Sequence, residues 1–279
     1  MRSFLYSGLI ALAVSFVSCT KNSSEPANTN ELAGLTLVKT IRNTTHSIDL
    51  YSATGKVQTG YNEIFLQLKT ADGKLVSDAE LSWMPVMKMM GMSHSCPFGA
   101  VQKKEPFKQT YSGFIIFQMA GNDMEYWELS IQYAVNGTAY SMTDRIAVTD
   151  PSRRTVQSFL GADNKRYVLA MVEPVVPKTA LNDISARLYT MSSMMQFDPV
   201  DSYTIQLDPR MPGMGNHGSP NNVHLTQSAD KIYRGKLSLT MTGYWKINLR
   251  LLDATGSVVK GEPVTGDNTS SSLFFELEF

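Results

Sequence analysis

From Met84 to Pro97 the sequence runs MPVMKMMGMSHSCP, which places Met84, Met87, Met89, Met90, Met92, His94 and Cys96 within thirteen residues. Thioether, thiolate and imidazole are the soft and borderline donors that select Cu(I), whereas the carboxylates that suit Ca or Mg are scarce in this stretch. A thinner version, DPRMPGMGNHGSP, carries Met211, Met214 and His217, with His224 seven residues further on. Met87, Met90, Met92 and His94 are the expected principal ligands of a Cu(I) site, with Met89 and Cys96 as reserves. Met211, Met214 and His217 are the matching candidates in the later segment. Only a neutral imidazole coordinates metal, so binding is expected to weaken as pH falls below about 6.

The competing account makes these methionines packing material, because Met is a flexible apolar side chain that fills irregular cores. It is the better account for a solitary Met. Five in one short span beside His and Cys weigh against it, since surface thioethers are open to oxidation and gain nothing from clustering unused. Elsewhere packing prevails. Met119 and Met241 read as residues at the end of a core, Trp127 and Trp245 as core, and Met171, Met194 and Met195 as packing, having no His nearby in the sequence. His46 reads as a surface residue. Cys96 as ligand or small core residue, and His224 as ligand or plain strand residue, both stay open.

Pro85 and Gly91 exclude a regular helix through the Met-rich run, so a strand and loop must present it. In strand geometry Trp83, Met87 and Met89 share one face, which leaves Met90, Met92 and His94 for the other. From residue 34 onward short alternating segments dominate, such as Glu63–Leu68, Phe114–Phe117, Trp127–Gln132, Leu237–Thr240 and Trp245–Arg250. Period-two alternation broken by Gly, Asn, Asp and Pro every roughly 8–12 residues predicts antiparallel strands in β-sandwiches.

The two halves also repeat each other. Tyr111, Gly113, Met119 and Gly121 recur with the same spacing as Tyr233, Gly235, Met241 and Gly243, displaced by 122 residues. Asn122 to Glu125 are extra in the first copy. Upstream, Pro85, Met87, His94 and Pro97 match Pro209, Met211, His217 and Pro220 with one residue deleted. The expected organisation is all-β, two tandem immunoglobulin-like sandwiches at 34–150 and 164–279 joined by a linker at 151–163.

The chain has 279 residues, 43% hydrophobic and 18% charged, with 25 basic against 25 acidic side chains. That composition suits a folded chain, and the zero net charge without a basic run argues against nucleic-acid binding. Arg2, the apolar stretch from Leu9 to Val17, and Ser18-Cys19 have the layout of a secretory signal, too short to span a bilayer. The run Phe16-Val17-Ser18-Cys19 resembles a bacterial lipobox, implying a signal peptide at 1–18, a lipid on Cys19 and a flexible tether over 19–33. The expected location is the cell envelope, on the outer membrane by lipoprotein sorting rules. An acylated Cys19 would leave Cys96 without a disulfide partner. No GxSxG, GxxxxGK[ST], HExxH or CxxC motif occurs, so no enzyme is expected.

The run Asp72-Gly73-Lys74, Asp78-Ala79, Pro85, Met92-Ser93-His94 and Pro97, followed by Tyr111, Gly113, Phe117, Met119, Gly121 and Trp127, resembles the YtkA-like (FixH/YtkA) domain family. The second copy is similar to a more diverged member, with Ser219 near the place of Cys96. The resemblance implies an immunoglobulin-like sandwich in the envelope, associated with copper handling and oxidase assembly. A copper chaperone, scavenger or resistance factor is therefore the expected function, with a copper donor or acceptor protein as partner. The alternative is a surface lipoprotein for glycan binding or adhesion, which would require Tyr and Trp on one exposed face.

Overall fold

The computed structural model describes residues 30–103 and 107–279. The expected signal peptide, the lipidation site Cys19 and most of the tether lie outside the described residues. Residues 31–279 form one compact unit. Among the described residues no helix is long and apolar enough to cross a membrane.

The first half contributes β1 (Thr36–Arg42), β2 (His46–Ser52), β3 (Val57–Gln58), β4 (Gly60–Thr70), β5 (Ala79–Met89) and β6 (Met92–His94). β7 (Gln102–Lys103), β8 (Tyr111–Phe117), β9 (Tyr126–Val135), β10 (Thr138–Ile146) and β11 (Val148–Thr149) complete it. One sheet runs β1-β2-β4-β8-β7 and the other β10-β9-β5-β6, with β3 and β11 paired in parallel beside them. Alternation drives this layering. Along β9, Trp127, Leu129, Ile131 and Tyr133 turn inward while the residues between them stay wetter. They meet Ile48, Leu50, Ile64, Leu66 and Leu68 from the other sheet in one core. Burying each such aliphatic side chain stabilises the fold by roughly 1.5–3 kcal/mol before entropy is counted.

The second half repeats the plan. It contains β12 (Val156–Leu160), β13 (Arg166–Glu173), β14 (Leu181–Ser193), β15 (Gln196–Pro199), β16 (Thr204–Met211) and β17 (His217–Gly218). β18 (Val223–Gln227), β19 (Tyr233–Ser238), β20 (Tyr244–Leu252), β21 (Val258–Lys260) and β22 (Leu273–Glu278) follow. The order β12-β13-β14-β19-β18 mirrors the first sheet, and β21 and β22 flank β20 beside β16 and β17 as β10 flanks β9. Here β16 also pairs with β18, so the two layers join into one continuous sheet. Its core centres on Tyr167, Tyr233, Trp245 and Phe275. The fold is all-β, in tandem immunoglobulin-like sandwiches. Part of the expected linker is strand β12, because Val156 to Leu160 hydrogen-bond along β13 rather than hanging free.

A third cluster lies between the halves. Ile116 of β8 packs with Val168, Ala170 and Tyr189 of β13 and β14, flanked by Tyr61, Phe114, Val156 and Phe197. The Arg187 guanidinium lies 4.2 Å from the Phe114 ring centroid. Both faces of β8 are therefore covered, which explains its unbroken apolar run Phe114 to Phe117.

Candidate functional site

The Met-rich run forms the β5–β6 hairpin. Met87 lies opposite His94, Lys88 opposite Ser93, and Met89 opposite Met92. Met90 and Gly91 make the turn, with Gly91 at φ +81°, a conformation that favours glycine. Directly opposed residues of an antiparallel pair project from the same face, with Cβ atoms about 4.5–5.5 Å apart. Met87, Met89, Met92 and His94 therefore share one face. This corrects the expectation that Met92 and His94 oppose Met87 and Met89: the tight turn folds the chain back in register, so the face is preserved across it.

That face runs from core to solvent. Met87 is fully buried, Met89 and His94 are half-buried, Met92 is 52% exposed and Met90 at the tip is 84% exposed. Trp127 of β9 is the other neighbour of Met87, making a row Trp127–Met87–His94 across three strands. The His94 ring meets the Trp127 ring edge to face, with centroids 5.5 Å apart. Trp127 Nε1 donates to the Met119 carbonyl at 2.9 Å.

His94 has a defined tautomer. Its Nδ1 lies 2.7 Å from the Ser95 carbonyl oxygen, which only accepts, so Nδ1 carries a hydrogen, and in the neutral ring the lone pair is on Nε2. This is how metal-binding imidazoles are commonly oriented. Met89, Met92 and the His94 Nε2 side thus offer two thioethers and one imidazole on a single strand-end face.

Two expected ligands take other positions. Met87 is the inner end of the face and part of the core. Cys96 is fully buried, and burial pushes its thiol well above the usual cysteine range, which disfavours the thiolate that metals bind. The reading of Cys96 as a small core residue therefore describes its surroundings. His46 is also buried rather than at the surface, wedged edge-on against Tyr133 and Tyr140 at 5.4 and 4.8 Å.

The second copy keeps the framework and thins the donors. Met211 pairs with His217 as Met87 pairs with His94, and Trp245 Nε1 donates to the Met241 carbonyl at 2.9 Å. Met211 is buried, while Met214, on a short 3-10 turn, and His217 are exposed. Arg210 sits between Asp208, at 2.7 Å, and the turn, placing a fixed cation beside these donors. His224 lines a separate cleft with Gln206, Asp208 and Arg250, and its Nδ1 accepts the Leu207 N–H at 3.3 Å.

Sequence reasoning missed one neighbour. Met194 and Met195, expected as packing, form the exposed turn between β14 and β15. The Met194 carbonyl accepts the Ser95 N–H at 2.8 Å, immediately beside His94. Nothing local signals this, because the contact spans about a hundred residues and depends on how the halves pack.

Among the described residues, half of the exposed large apolar side chains are methionines: Met84, Met90, Met92, Met124, Met194, Met195 and Met214. All three tryptophans are buried, and no aromatic side chain ranks among the exposed large apolar residues described. Among the described residues no group of three or more His, Cys, Asp or Glu is placed to hold a metal, so the hairpin's donors are thioethers with one imidazole.

No family model matches the chain, and no curated protein matches it. Among solved structures the chain is similar to FdeC, an Escherichia coli adhesin, at 12% identity over 88% of this chain and 82% of that one, with a TM-score of 0.25. It is also similar to a DUF4785 family protein from Legionella pneumophila, at 10% identity over 78% of this chain and 56% of that one, TM-score 0.26. Escherichia coli alpha-2-macroglobulin matches at 15% identity over 82% of this chain, TM-score 0.26, and the chain spans only 14% of that much longer protein.

Proposed function

We propose that this chain is a non-enzymatic Cu(I)-binding protein of the bacterial envelope, tethered by a lipid on Cys19 and acting in copper handling. The observation that carries the reading is the β5–β6 face, where Met89, Met92 and a His94 imidazole anchored through its Nδ1 adjoin one another. Soft thioethers with one borderline nitrogen favour Cu(I) over harder ions. Met90 at the exposed tip would take the ion first and hand it inward by ligand exchange, and Met87 would close the inner end of the face. The resemblance to YtkA-like domains points the same way. The adhesive alternative calls for exposed aromatic side chains, and the surface is rich in methionine instead.

Competition with a coloured Cu(I) chelator tests the reading. Joint replacement of Met89, Met92 and His94 by Leu, Leu and Ala is expected to abolish competition by the first sandwich. Unchanged affinity in that variant would overturn the proposed site.

A further inference from the structure

On the opposite face of the same hairpin, Met84 and a methionine turn of the second half meet the same residue, Ser95. On β5, Trp83 and Pro85 turn inward and Met84 between them turns out, 38% exposed. Ser95, fully buried, connects Met84 to the second sandwich. Its Oγ donates to the Pro85 carbonyl at 2.7 Å and lies 3.7 Å from the Met84 sulfur. Its N–H donates to the Met194 carbonyl at 2.8 Å. Met194 and Met195, 40% and 42% exposed, make the two-residue β14–β15 turn. Neither residue has a positive φ, so the turn accepts most side chains and its geometry does not call for methionine in particular. Apolar burial does not explain them either, given their exposure.

We propose that Met84, Met194 and Met195 form a second site for a soft monovalent ion, Cu(I) or its analogue Ag(I), shared between the two sandwiches. Three thioethers on flexible side chains can close around one such ion. Ser95 links both parts of the site: its Oγ, bonded to the Pro85 carbonyl, lies against the Met84 sulfur, and its backbone N–H holds the Met194 turn. The same residue's carbonyl orients His94 on the other face. The site goes beyond the hairpin reading, resting on the same preference for soft metal but on none of the same ligands.

The experiment is Ag(I) titration of the full chain in mild detergent, labelled with carbon-13 at the methionine methyls, which are assigned by single Met→Leu changes. Leu fills nearly the same volume as Met, so the fold should tolerate the exchange. The Met84, Met194 and Met195 signals are expected to shift together, and Met194→Leu with Met195→Leu should abolish the Met84 shift while leaving that of Met92. If Met92 moves and Met84 does not, this inference is overturned and the hairpin site stands. Movement of Met84 without Met92 supports the inference and overturns the hairpin site, and movement of neither overturns both. The lone exposed Met124 serves as control: if its signal shifts at the same silver concentration as Met84, binding is nonspecific and the inference fails.

Discussion

His94 and Trp127 stand at right angles, ring centroids 5.5 Å apart with an interplanar angle of 89°, across the buried Met87 that lies between their strands. The two rings thus meet edge to face while the His94 Nδ1 is tied to the Ser95 carbonyl. The imidazole is oriented before any ligand arrives, which lowers the ordering cost of coordination.

This geometry predicts an optical signal. Cu(I) or Ag(I) bound at His94 should alter emission from Trp127, and His94→Ala should remove that change. The same variant should lower Cu(I) affinity of the first sandwich by at least the 10–100-fold that losing an outer-shell partner costs a metal site. A fluorescence response that persists in His94→Ala would place the ion elsewhere.

Met87 and Met90 should separate structural from ligand methionine. Met87 is fully buried in the core, so Met87→Ala should cost about 2–5 kcal/mol in urea unfolding. Met90, 84% exposed, should cost within about 0.5 kcal/mol when changed to Ala, while slowing metal uptake. Equal stability losses at the two positions would contradict this division.

Strand character and the repeat were legible because both depend on local order. Alternation along β9 and the paired landmarks Met87–His94 and Met211–His217 need only periodicity and counting. The face of His94 was not legible, since it depends on a turn register that one residue would reverse. His46 was misplaced for a different reason: its neighbours Tyr133 and Tyr140 come from strands some ninety residues away. Met194 likewise reaches Ser95 only through the packing of one sandwich on the other.

Asp49 should make the first sandwich acid-sensitive. Burial works to raise its pKa, but hydrogen bonds from Lys69 at 2.7 Å and Thr40, with the Lys69 charge, outweigh it and hold the carboxyl below its ordinary range. A depressed folded value means the stabilisation is complete above the unfolded pKa of about 3.9 and is lost as pH falls through the lower folded value. Asp49→Asn should cost about 1–3 kcal/mol at pH 7 and flatten the loss of stability between pH 5 and 2. Identical pH slopes for the two proteins would remove Asp49 from the explanation.

The cluster between the halves should couple their stabilities. Ile116 belongs to the first sandwich yet is fully buried against Val168, Ala170 and Tyr189 of the second. Truncation to Ala leaves a cavity at that junction, expected to cost about 2–4 kcal/mol. Because the lost contacts stabilise β13 and β14 as well as β8, amide hydrogen exchange should accelerate in both sandwiches. If exchange quickens only in the first, the junction is mere contact and the two halves fold independently. A shared response would mean that the Ser95–Met194 link is held by an energetically significant interface, which a site built from both halves requires.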